Sequence, residues 1–471
     1  MSHQLARLTN SRIAFLGGFG LLVLSLGQTG MECPFLIQPP TSQPTTGNSG
    51  ITGQFVGSTR CSQCHSSVHS NWSQTLHAGA LETLEAIGQG ENSQCLPCHV
   101  VGYKSADGFA SRATTNDLAG VGCEACHGPG RAHVENVQDA SLRPPKNISA
   151  SVCGACHTGS HHPNFDEWKE SKHALVNEEL ATRFEDGTSL NSCGKCHSGD
   201  FFYKAILNNE TVADDALLGV PRSQQTGITC AICHDPHMRT GNAPDPGDGR
   251  DFQLRFPEVA FPTPTNTIDA TTNAARFNIC GQCHHGRGRT WADNSRGPHH
   301  SVQANVYTGE MAMPDSDGIV TPLAPSRLAK HYEAPEQCAT CHMYRKDFED
   351  ANAPAIAGHS FAVSFEGCVA SGCHTTAESI ENRASTYRAE IQARLDALVD
   401  RMEAVYPNNG WNYTSEGGPA GGGQNAIPEA VRKVRFIHAY IVGDGSLGIH
   451  NPPYVEGMLD VAESLLDGEG L

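Results

Sequence analysis

Residues 123–157 read CEACHGPGRAHVENVQDASLRPPKNISASVCGACH. The string Cys-x-x-Cys-His opens and closes this stretch, and Gly, Pro and polar residues fill the space between. Moving outward, the string recurs as CSQCH from Cys61, CLPCH from Cys95, CGKCH from Cys193, CAICH from Cys230, CGQCH from Cys280 and CATCH from Cys338. A chain of this composition would hold such a string by chance on the order of 0.05 times. Eight copies are therefore a repeated unit.

The spacing follows from haem chemistry. Two thiols three positions apart lie on about one helical turn, so both can add to the vinyl groups of one haem. The next histidine then lies under the iron as its proximal ligand. The paired thiols are Cys61 and Cys64, Cys95 and Cys98, Cys123 and Cys126, Cys153 and Cys156, Cys193 and Cys196, Cys230 and Cys233, Cys280 and Cys283, and Cys338 and Cys341. The proximal histidines are His65, His99, His127, His157, His197, His234, His284 and His342. Zinc binding and thiol exchange use paired cysteines too, but neither needs a histidine after every second one. Residues 365–376, FEGCVASGCHTT, hold Cys368 and Cys373 with four residues between them, followed by His374. Two extra residues can loop outward without parting the sulfurs from the vinyl groups, so this is read as a ninth haem c site. The alternative is a disulfide or a spare thiol pair.

Composition agrees. The 471 residues include 19 Cys and 24 His, yet only 38% are hydrophobic, and Gly and Pro are frequent. A large side-chain core is hard to build from this. Nine haems between Cys61 and His374 leave roughly 35 residues for each, and covalently held porphyrins can supply the missing buried surface. The formal charge of −18 argues against nucleic acid and favours a basic or cationic partner.

The two ends differ from this middle. Arg7 and Arg12 precede an apolar run from Ile13 to Gly27, which reads as an export signal over residues 1–30 and places the chain in the periplasm or outside the cell. Residues 31–54 read as a flexible linker rich in Pro, Thr, Ser and Gly; Cys33 within it raises a lipoprotein reading that Met31 and Glu32 oppose. Residues 55–374 form the nine-haem region, built of short helices and loops. Residues 375–471 form a helical region. There, Ile380, Ala384, Tyr387, Ile391, Leu395, Leu398, Met402 and Val405 predict one long helix stopped by Pro407. A second helix starts at Pro428, with Val431, Val434, His438 and Ile441 on one side, and a third runs from about Pro453 to Leu466. No other stretch is apolar enough to span a bilayer as a helix. The fold class expected is mainly α with extensive irregular loops, a multihaem cytochrome c architecture closed by C-terminal helices.

With nine histidines proximal and His3 in the signal, fourteen of the 24 remain for nine distal positions. The chain from about Arg60 onward resembles the multihaem c-type cytochromes related to cytochrome c-554 and octahaem hydroxylamine oxidoreductase. CEACHGPGRAH is similar to a pattern that implies His133 as a distal ligand. CGACHTGSHHPNFDEWKESKHA resembles a pattern that implies His162 and His173. NWSQTLHA implies His77, CHDPH implies His237, GPHHSVQANVYTGE implies His299 or His300, and GHSF implies His359. DGSLGIHNPPY, like the family's closing segment, implies His450, and His331 completes nine. His69, His161, His285 and His438 are weaker candidates; His285 adjoins a proximal ligand and cannot reach the far face of the same iron. Met238 and Met343 are read as packing residues, and Arg287 and Arg289 either pair with haem propionates or form a solvated basic loop.

Two imidazoles close both faces of an iron, which then passes electrons but does not readily bind substrate. The expected function is an extracytoplasmic electron carrier or conduit, in series with other redox proteins or within a polymer of its own copies. The alternative is an oxidoreductase acting on a small nitrogen or sulfur compound at one open-faced haem. Some relatives mark such a haem with lysine as the proximal ligand, and no CxxCK string occurs here.

Overall fold

The computed structural model describes residues 54–242, 245, 249–255, 279–287, 297–310, 328–413 and 424–471. The export signal, most of the linker with Cys33, and Arg289 lie outside the described residues. The described residues belong to one compact unit. Among the described residues there are helices and isolated β-bridges but no strands, as the sequence predicts. No helix among them is long and apolar enough to cross a membrane.

Up to His374 the helices are short, and most of the repeated strings begin on or adjoin one. Cys123–His127 and Cys338–His342 are single five-residue helices, and Cys230–Cys233 is one turn. Helix α1, Glu178–Glu185, starts where the Asn177 side chain accepts N–H bonds from Glu179 and Leu180. Helix α2, Leu190–His197, carries a whole attachment string. Apolar side chains here gather in small clusters. One contains Leu81, Leu96, Val101 and Phe109; another contains Phe184, Leu190 and Phe201.

After His374 the texture changes. Helix α3, Ala377–Val405, begins where Thr376 Oγ1 accepts the Ser379 N–H and ends before Pro407. Helix α4, Glu429–Asp444, follows Pro428 and stops at Gly445, whose φ of 74° suits glycine. Helix α5, Pro452–Glu469, has proline in its first turn, where no N–H partner is lost. α4 begins one residue after the predicted start at Pro428, and α5 runs slightly beyond its predicted bounds.

The predicted apolar stripe of α3 is fully buried only in its second half, at Ile391, Leu395, Leu398 and Met402. Ile380, Ala384 and Tyr387 are half-buried, and Val405 is exposed. The reason is what packs there. α5 runs along the C-terminal half of α3, and Arg394 joins Asp460 and Glu463 while Arg401 joins Asp467 across that seam. The three helices share one cluster with Val302 and Val306, so the C-terminal region is docked on the segment that follows the seventh attachment string. Asn451, fully buried, clips this join by donating to the Val306 and Tyr307 carbonyls at 3.1 and 3.4 Å.

Candidate haem-attachment and iron-ligand sites

A ligand imidazole needs one ring nitrogen free for metal and its other N–H fixed. Local folding provides this repeatedly. His99 Nδ1 meets the Ala80 carbonyl at 2.7 Å, His127 that of Pro145 at 2.9 Å, His234 that of Phe252 at 2.6 Å and His342 that of Phe361 at 3.0 Å. His284 Nδ1 meets the Gln303 amide oxygen at 3.2 Å. Among the distal candidates, His331 donates to the Ile449 carbonyl at 2.8 Å and His359 to that of Ala357 at 2.9 Å. His450 differs, its Nδ1 lying 2.6 Å from the Asp444 carboxylate. In each case Nε2 is left for a metal.

Two imidazoles clamping one metal, each bonded at about 2 Å, put their ring centroids roughly 6 Å apart. Seven proximal histidines have a distal candidate at that separation. The pairs are His127 with His237 at 6.1 Å, His284 with His173 at 6.1 Å and His197 with His300 at 6.1 Å. His234 pairs with His359 at 6.2 Å, His342 with His450 at 6.1 Å and His374 with His331 at 6.4 Å. His157 has both His77 and His162 at 6.0 Å. The donor set therefore fits six-coordinate haem iron. Among the described residues His65, His99 and His133 make no ring pair of this kind, though His99 is near enough to His162 to interact with it.

Burial lowers the basicity of these imidazoles, bringing His157, His173, His197 and His234 to about 4. They are neutral at physiological pH, the form that binds metal. His450 goes the other way. Burial lowers it, but the charge and hydrogen bond of Asp444 together outweigh burial and raise it.

The sequence left His299 and His300 open. His300 is the one paired with His197 by ring distance. His299 stacks 4.1 Å from it and holds Ser301 Oγ at 2.8 Å, and all three histidines offer nitrogens within 4.8 Å of one another. The weaker candidates sit elsewhere. His161 stacks on Phe348 at 3.7 Å, His69 lies against Trp72, His438 packs edge-on to Trp411, and buried His285 accepts the Arg287 N–H. Arg287 itself bonds the Ser192 carbonyl beside the fifth attachment string.

In the stretched string, Cys368 lies on the helix Phe365–Ala370, and the two extra residues close a turn in which Gly372 adopts a φ of 76°. The turn keeps Cys373 and His374 next to the helix end. Thiols of different strings also meet: Cys61 with Cys123, Cys98 with Cys156, Cys153 with Cys230, Cys196 with Cys283, Cys280 with Cys338, and Cys341 with Cys368. Charge interactions further link Cys126 to Cys153 and Cys233 to Cys280.

Several supporting residues carried no sequence signal. Glu124, inside the third string, is buried and accepts N–H bonds from Gly57 at 2.8 Å and Gly130 at 2.7 Å, tying the chain entry to the loop that leads to His133. Glu167 accepts from Ala357 and His359 N–H groups at 2.9 and 2.7 Å, and so positions the His359 loop. Gly358 in that loop has a φ of 74°, and a Cβ there would lie 2.5 Å from the Met343 backbone. Only glycine allows this approach. Asp444, which holds His450 Nδ1, was likewise not read from the sequence, though it stands six residues before that histidine.

The family described as cytochrome c554 and c-prime matches residues 60–128. Cytochrome c-554 of Nitrosomonas europaea is 27% identical over 169 residues, 32% of this chain and 62% of that protein. The multiheme cytochrome MtrA of Shewanella baltica is 30% identical over 162 residues, 30% of this chain and 45% of that protein. The chain thus spans less than two thirds of either relative's length. The fold is similar to the outer cell wall cytochrome OcwA, with a TM-score of 0.57 at 19% identity, covering 88% of this chain and 99% of that one. Attachment strings, iron-ligand geometry and these likenesses converge on a multihaem c-type cytochrome.

Proposed function

We propose that this protein is an electron conduit outside the cytoplasm that carries nine haems c, all with two histidine ligands. The observation that carries the reading is the recurrence of a ring separation of 6.0–6.4 Å at seven proximal histidines. The eighteen cysteines of the nine strings hold the porphyrins. The distal ligands are His77, His162, His173, His237, His300, His331, His359 and His450, with His133 left for His65. His77 and His162 both lie 6.0 Å from His157; we take His77 for that iron and His162, which interacts with His99 as well, for the iron of the second string.

The haems supply the redox chemistry when bound. The chain's part is to hold the attachment points next to one another. The thiol contacts and charge links order the strings as first, third, fourth, sixth, seventh, eighth and ninth, with the second beside the fourth and the fifth beside the seventh. Residues 375–471 close this array. An extracytoplasmic site is supported by the apolar run behind Arg7 and Arg12 and by likeness to an outer cell wall cytochrome. The charge of −18 favours a basic redox partner or a cationic acceptor.

The test is intact mass together with EPR of protein matured in a host that attaches haem c. Nine haem increments and only low-spin iron are expected. Eight increments would remove the ninth site from the account, and a high-spin signal from about one haem in nine would favour catalysis at an open face.

A further inference from the structure

Among the histidines placed at irons, most whose Nδ1 partner is seen face a neutral oxygen, as at His99, His127, His234 and His342. Asp235 lies 3.7 Å from His237 Nδ1, beyond hydrogen-bond reach and shared with Arg255, so among the described residues the carboxylate in hydrogen-bond contact with such a ring is the one at His450. His450 Nδ1 lies 2.6 Å from Asp444 Oδ1, and the Asp444 side chain is fully buried at the C-terminal end of α4. The second carboxylate oxygen accepts the Ser446 hydroxyl. Among the described residues no Lys or Arg pairs with Asp444. Its charge acts on His450 directly and also reaches His342, whose ring lies 6.1 Å from that of His450.

A carboxylate on the outer nitrogen makes an imidazole a stronger electron donor. A buried negative charge beside the site also favours the ferric over the ferrous state, because its field is poorly screened there. Both effects act in one direction. The neighbouring seventh string offers an internal contrast, because Gln303 bridges its His284 to the same end of α4 through a neutral amide. Gln303 Oε1 meets His284, and its Nε2 donates to the Asp444 carbonyl at 3.1 Å.

We propose that Asp444 makes the haem of the eighth string, held by Cys338, Cys341, His342 and His450, the low-potential step of the array. This rests on the pairing of His342 with His450 given above. The eighth string touches both the seventh and the ninth through its thiols. A low-potential step there separates the ninth haem energetically from the rest, so that electrons rest on either side of it and cross it without staying.

The experiment is a potentiometric titration of the holoprotein followed optically, on wild type, Asp444→Asn and Asp444→Glu. Asn keeps the shape and an acceptor oxygen but removes the charge. Expected is an upward shift of one low-potential component by about tenfold in its equilibrium constant, about 59 mV for one electron, with nine haems attached and all low-spin. Glu, which keeps the charge, is expected to retain the low component. Superimposable curves for wild type and Asp444→Asn would overturn the proposal. His450→Gly separates this from an error in pairing. One haem turning high-spin in EPR supports the pairing, so that a null result for Asp444→Asn then sinks the tuning role alone. If every haem of His450→Gly stays low-spin, the pairing and the inference both fall.

Discussion

Between Ala377 and Leu471, three long helices bury Leu395, Met402, Val434, Phe436, Ile437, Val455 and Leu459 almost completely in one cluster. Between Phe55 and His374, a stretch more than three times as long, the apolar side chains form small separate groups such as those around Phe109 and Phe184. One part of the chain hides its backbone with its own side chains. The other holds its repeated cysteine strings at close quarters and, on the proposed reading, relies on the haems attached to them. The contrast teaches that the two parts differ in how their apolar residues are gathered more than in how many they have, and that each part should fail in its own way.

The largest effect is expected when haem attachment is withheld. For a chain that folds around a bound group, the binding free energy is folding free energy. Limited proteolysis of the haem-free chain should digest residues 55–374 rapidly while a fragment from about Ala377 onward survives longer. Equal resistance of both parts would break the comparison. Next comes Leu395→Ala, which leaves a cavity in the helical core and should cost about 2–5 kcal/mol in denaturant unfolding of that region. The haem absorption spectrum should stay unchanged; altered haem bands would show that the two parts are not separable. The smallest effect belongs to Arg394→Ala. Its partners Asp460 and Glu463 are 72% and 39% exposed, so screening limits the loss to about 0.2–1 kcal/mol, measured as a shift in the same transition and reduced further by salt.

The legible part of the protein is the part encoded by neighbours in sequence. Cys123 and Cys126 need only a helical turn to face one porphyrin, and His127 follows at once. The α3 stripe announces its helix in the same local way. Pairing is another matter. His173 meets His284 and His342 meets His450 across more than a hundred residues, and nothing near a histidine says which iron it faces. The resemblance to known patterns named the distal candidates but left His299 and His300 unresolved. Glu124, Glu167 and Asp444 escaped notice because a carboxylate in a polar loop looks solvated until the N–H groups or imidazole around it are in place.

By itself the sequence points to what is attached, and proposes where and in which covalent order, because thioether formation depends on residues within five to seven positions of one another. Only the tertiary structure shows which imidazoles face one another, which strings are neighbours, and where a buried charge is spent. Those are through-space relations between segments of similar composition. They are set by how short helices pack and by which carbonyl, amide or carboxylate orients each ring.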